Sequence, residues 1–154
     1  MNRQNLKIAI VKSEFNQQII EKMEAGAKEA ACEEKISLDQ IETYTVPGAF
    51  ELPLIAKKLA KTQAYDAVIC LGAVLKGETA HFDYVSMGVT MGIIQASLDT
   101  EVPILFGILT CDFKQALVRS QGDRNKGYHT FKAAISMIDT CVEIKNKNPT
   151  ESIF

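Results

Sequence analysis

Two uninterrupted apolar runs limit what this chain can become. Ala67–Leu75 reads AVICLGAVL, and residues 102–110 read VPILFGILT. Both are far shorter than the roughly 18 apolar residues of a membrane-spanning helix. Both are rich in β-branched side chains and carry no charge, so neither has a face to offer water. Such segments suit strands covered on both sides. A chain of 154 residues that buries two of them needs helices to do the covering.

The intervening sequence supplies those helices. Residues 6–11 (LKIAIV) and Ile41–Val46 (IETYTV) read as two further strands. After the first, Ile20, Met23, Ala27 and Ala30 recur at helical spacing, and Asn16 is expected to cap that helix. Pro47-Gly48 ends the second strand. Leu52, Ile55, Ala56 and Leu59 then share a helical face, with Pro53 in the first turn, where a missing N–H costs little. A long helix is expected over 84–98 and a short one from an Asp112 cap to Arg119. Phe131, Ala134, Ile135, Ile138 and Val142 stripe a last one. Alternation of this kind predicts an α/β fold, a four-stranded parallel sheet with helices on both faces and right-handed crossovers. The expected organisation is one domain over 1–154, with a short arm at 1–5 and a polar tail from about 146.

Charge and cysteine usage exclude several classes. A net charge of −2 with no basic block argues against non-specific nucleic-acid binding. The N-terminus runs straight into a strand without a signal-peptide layout, so a cytoplasmic location and no membrane partner are expected. Cys32, Cys70, Cys111 and Cys141 are widely spaced and read as reduced structural thiols. With His81 and His129 as the two histidines, no zinc set is expected.

Ligands of open α/β sheets sit beyond the carboxyl ends of the strands. The segments that follow those ends therefore carry the candidate chemistry. Gly77-Glu78-Thr79-Ala80-His81 joins a buried strand to a helix, where free N–H groups and the Thr79 hydroxyl suit an anion. His81 beside it can exchange protons near neutral pH. In Val46-Pro47-Gly48-Ala49-Phe50-Glu51, small Ala49 admits a ligand, Phe50 offers a stacking face and Glu51 accepts hydrogen bonds. The same residues also suit a helix start with an acidic first turn. Phe15 can stack on a heterocycle or cover the core. Phe106 reads as core, and Arg119 and Lys126 as either solvated cations or phosphate partners.

Six stretches in order carry a resemblance: FN at 15–16, VPGAFELP at 46–53, YDAVICLGAVLKGETAHFDYV at 65–85, VPILFGILT at 102–110, QALVR at 115–119 and NKG at 125–127. Together they resemble the lumazine synthase family of riboflavin biosynthesis, from about residue 7 to 138. The resemblance implies a flavodoxin-like three-layer α/β/α sandwich. It also implies condensation of 5-amino-6-(D-ribitylamino)uracil with 3,4-dihydroxy-2-butanone 4-phosphate to 6,7-dimethyl-8-ribityllumazine, phosphate and water. No metal or organic cofactor is implied.

By that resemblance Phe15 stacks on the pyrimidine, and Ala49, Phe50 and Glu51 hold its ribityl chain and ring. Ala73, Val74 and Leu75 line the ring pocket, and Phe106 contacts the ring. Glu78, Thr79 and Arg119 bind the butanone phosphate, Lys126 lies near it, and His81 moves protons. Phe106 and Arg119 come from a neighbouring subunit, which implies a homo-oligomer, a pentamer or an assembly of pentamers. Riboflavin synthase is a further partner the resemblance suggests. The chain departs from the family pattern at Glu14, where a basic residue is usual, and at Lys76, where arginine is usual. It departs again at His129, where an acid would orient the phosphate-binding arginine. Those departures leave a second reading, a homologue that binds a lumazine or flavin without making it.

Overall fold

The computed structural model describes residues 3–147. Strands β1 (Ile8–Ser13), β2 (Ile41–Val46), β3 (Ala67–Leu75) and β4 (Ile104–Cys111) form one sheet in the order β2-β1-β3-β4. All three pairings are parallel. Helices α1 (Gln17–Glu33) and α5 (Lys126–Lys147) cover one face. Helices α2 (Leu52–Lys61) and α3 (His81–Thr100) cover the other, and the short α4 (Phe113–Arg119) follows β4. This is the expected flavodoxin-like α/β/α sandwich. No helix among the described residues is long and apolar enough to cross a membrane.

Alternation along the strands divides the core in two. Ile8, Ile10, Ile69 and Leu71 pack under α1 and α5 with Ile19, Met23, Phe131 and Ile135. Ala9, Val11, Val68 and Cys70 point the other way, against Leu52, Ala56, Val89 and Ile93. The two apolar runs thus become the adjacent strands β3 and β4, as their lack of a polar face requires. Burial pushes the Cys70 thiol up to about 12, and all four cysteines are free.

Several expectations need correction. The first strand begins at Ile8 rather than residue 6 and continues to Ser13, and β4 starts at Ile104 rather than 102. Asn16 does not cap α1 through its side chain. It adopts a left-handed conformation (φ 62°), and its Nδ2 donates to the Ala73 carbonyl at 3.1 Å. The third helix starts at His81 rather than 84, because Asp83 and Tyr84 N–H groups already bond the Ala80 carbonyl. Asp112 does cap α4, its Oδ1 accepting from Gln115 N–H at 2.8 Å. Of the N-terminal arm, Arg3–Asn5 form a 3-10 turn. Arg3 makes two hydrogen bonds to Asp139, at 2.7 and 2.8 Å. The tail beyond 147 lies outside the described residues.

The junction before α5 is held by two residues of the NKG motif. Buried Asn125 donates from Nδ2 to the carbonyls of Lys22 and Ser120, both at 2.9 Å, and accepts from Tyr128 N–H at 3.2 Å. These bonds close residues 120–125 into a loop and tie it to α1. Gly127 lets the helices touch: a Cβ there would lie 1.8 Å from the Met23 carbonyl oxygen. Gly127→Ala should therefore destabilise the protein by about 3 kcal/mol in denaturant unfolding. Gly77→Ala, where a Cβ meets nothing within 4 Å, should shift it by under about 0.5 kcal/mol. Equal effects would mean that the close approach of α1 and α5 is unimportant.

Buried Glu24 on α1 pairs with Lys12 of β1 and with Lys28, the latter at 2.7 Å. Burial raises its carboxyl, but hydrogen bonds from Lys12 and Lys28 outweigh that and hold it below its ordinary value near 4.5. A depressed folded value stabilises above the ordinary carboxyl range and is lost as pH falls through the folded value. Glu24→Gln should cost about 1–3 kcal/mol at neutral pH. That gap should close as the medium becomes acidic enough to protonate Glu24; a gap constant with pH would refute the linkage.

Candidate active site

The register places the ends of the strands side by side: Ser13 pairs with Val46, and Val74 with Thr110. A cavity of about 630 Å³ opens beyond the ends of β1, β2 and β3. Phe15, Ala49, Phe50, Glu51, Ala73, Val74, Leu75 and His81 all line it. Pro47, Gly48, Phe82, Tyr84 and Val85 complete the wall. No lysine or arginine reaches it, so it is a mostly apolar slot with a carboxylate and an imidazole at its rim.

Local bonds explain why these residues converge. The Glu14 and Phe15 N–H groups donate to the carbonyls of Val46 and Pro47, at 2.8 and 3.1 Å. Asn16, turned left-handed, reaches Ala73 on the other side. The loop after β1 is thereby fastened to both neighbouring strands, and Phe15 stands above them 72% exposed. Asn tolerates a positive φ better than most residues, which is what an FN pair needs here. Ala49–Glu51 form a 3-10 turn leading into α2. Phe50 lies across α3 at Gly88, where a Cβ would come within 2.7 Å of its ring. His81, as the first residue of α3, sits on the rim with its backbone N–H 3.4 Å from Thr79 Oγ1.

The other expected residues lie apart. Glu78 and Thr79 are exposed in the loop before α3 and do not line this cavity. Phe106 is half-buried on the edge strand β4, packed with the cluster under α2 and α3. Arg119 opens into a second cavity of about 750 Å³ at the end of β4, with Thr110, Cys111, Gln115, Asp123, Arg124, Lys126 and His129. The two cavities share no lining residue. One is apolar and the other cationic. Burial raises the Cys111 thiol there, partly opposed by Arg119. Glu14 lines neither cavity but a smaller hollow of about 360 Å³ with Lys12, Ser13 and Gln17.

Sequence reasoning did not single out Phe82, Tyr84 and Val85, and with α3 expected to start at 84, Phe82 fell in a loop. A helix begun at His81 turns Phe82 and Val85 inward at helical spacing. It also missed Arg124, which has no motif to mark it.

Comparison with known proteins fits this geometry. The family profile for 6,7-dimethyl-8-ribityllumazine synthase matches residues 5–141. Proteins named 6,7-dimethyl-8-ribityllumazine synthase from Coxiella burnetii are similar over 147 residues. The Dugway 5J108-111 strain's is 46% identical and the RSA 493 / Nine Mile phase I strain's 47%. Each alignment covers 94% of this chain and 97% of the relative. Motif order, strand topology and a match over nearly the whole length agree, and the chain belongs to the 6,7-dimethyl-8-ribityllumazine synthase family of enzymes.

Proposed function

We propose that this protein condenses 5-amino-6-(D-ribitylamino)uracil with 3,4-dihydroxy-2-butanone 4-phosphate, the penultimate step of riboflavin formation. The observation that carries the reading is the convergence of Phe15, Phe50, Val74 and His81, from separate segments, on one apolar slot. A flat heterocycle fits between the Phe15 ring and the wall of Ala73, Val74 and Leu75. Glu51 and the 46–51 backbone accept the ribityl hydroxyls.

The chemistry then asks for positioning and proton transfer. The pyrimidine's 5-amine adds to the ketone carbon, and loss of water gives an imine. Phosphate departs as its C–O bond breaks, leaving an enol that tautomerises to a ketone. The ribityl-bearing nitrogen closes the ring on that carbonyl, and a second water leaves. His81, at the rim, is the group to give and take these protons. Holding two substrates in register supplies much of the acceleration.

The phosphate end needs cations, and the slot has none. Arg119 and Lys126 face the other cavity, so a complete site joins the slot of one subunit to the cationic cavity of the next. One surface feature supports such an assembly. Tyr84, Met87, Met91, Ile94 and Leu98 form a stripe along α3, each between 50% and 76% exposed. Their alternating spacing of three and four is the seam of helices packed on copies of themselves. A continuous apolar stripe left in water is unfavourable for a monomer. A pentamer built on α3 would bury it.

Three predictions test the reading. Mixing protein with both substrates should speed lumazine formation and phosphate release above the unaided reaction. His81→Ala should slow turnover by about 10²-fold and leave a residue of activity from positioning. Ligand binding without acceleration would instead favour a non-catalytic homologue. Met91→Lys should reduce the oligomer to smaller species in light scattering, with activity falling in parallel. A fully active monomer would end the shared-site proposal.

A further inference from the structure

The cationic cavity holds a residue that neither the sequence motifs nor the family comparison picks out. Arg124 ends the 3-10 turn Gly122–Arg124, in the loop closed by Asn125. It lines the cavity with Arg119 and Lys126, and none of the three forms a salt bridge among the described residues. Asp123 also lines that cavity, yet its carboxylate pairs with none of them. Three cations against one unpaired carboxylate leave the cavity net positive, and a bound anion removes the repulsion among them.

The turn that carries Arg124 is latched by His129. Its Nε2 lies 2.8 Å from the Asp123 carbonyl oxygen. A carbonyl only accepts, so Nε2 carries the proton and donates it. The ring also meets Tyr128 in a T-shaped contact, with centroids 5.4 Å apart and planes at 86°. Tyr128 in turn donates from its hydroxyl to Glu33 Oε2 on α1 at 2.7 Å. Gly122, at φ 55°, takes the left-handed bend that the turn requires. An acidic side chain at 129 has no N–H to offer that carbonyl. The histidine at this position therefore goes with a different way of shaping the cavity.

We propose that Arg124 is a third phosphate-binding cation for the phosphorylated substrate, and that His129 is its positioning residue, acting by holding the Gly122–Arg124 turn. This rests on the phosphate reading of the cavity. Arg124 touches the phosphate, and His129 does not.

Steady-state kinetics of the intact oligomer test it, with inorganic phosphate as a competitive probe. Arg124→Ala should raise the KM for the butanone phosphate and the inhibition constant of inorganic phosphate about tenfold, one charge-assisted contact's worth. The KM for the pyrimidine should move less than about twofold. His129→Ala should do the same more weakly. His129→Gln, which keeps an N–H donor at similar reach, should restore most of the loss. In the Arg124→Ala background His129→Ala should add almost nothing, because the turn then carries no cation. Additive effects, or no rescue by glutamine, would overturn the positioning role. Arg119→Ala separates the two readings. If it raises the phosphate KM while Arg124→Ala does not, the Arg124 assignment fails and the phosphate cavity stands. If neither does, the phosphate reading of the cavity fails as well.

Discussion

Strand β3 must be covered on both faces, and much of the architecture follows from that demand. From Ala67 to Val74 every residue is buried. Odd-numbered side chains go to α1 and α5, and even-numbered ones to α2 and α3. Only parallel crossovers can place helices on both sides of such a strand within so short a chain. Parallel strands also end on the same edge. The loops after β1, β2 and β3 are thus brought together by the need to bury an apolar run, before any question of ligand arises.

What is built on that edge is polarised. The slot beyond β1–β3 is mostly apolar and lined by no lysine or arginine, while the cavity beyond β4 collects Arg119, Arg124 and Lys126. The proposed substrate pair, a neutral heterocycle and a phosphate monoester, needs both environments. In one subunit they are separate walls. The apolar stripe on α3 supplies a physical reason for copies to associate, and association is what would set one cavity against the other.

Side-chain-to-backbone bonds add to the backbone bonds of Glu14 and Phe15 and to the packing of Gly127 in fastening the loops that carry these walls. Asn16 ties the β1 loop to β3, and Asn125 ties the β4–α5 loop to α1. In both cases the amide does a task that an aliphatic residue of equal size could not, because a buried carbonyl without a donor is costly. Their neighbours Phe15, Arg124 and Lys126 are left to line the two cavities.

The apolar runs, the helical stripes and the Pro-Gly and Asp112 signals determined the element order and the parallel sheet, since burial and turn chemistry are local properties of residue type. β2 and β3 were legible to the residue. The ends of β1, β4 and α3 were not, because helix and strand termini answer to long-range bonds such as Asn16 to Ala73. Residues such as Phe15, Ala49 and His81 could be named from their place after strand ends and from the family motifs. That Phe82 and Val85 join them, that Arg119 faces another cavity, and that His129 latches the turn of Arg124 were decided only in three dimensions. Those arrangements depend on which faces a helix presents once it is docked, and a residue's neighbours in sequence do not encode its neighbours across the sheet.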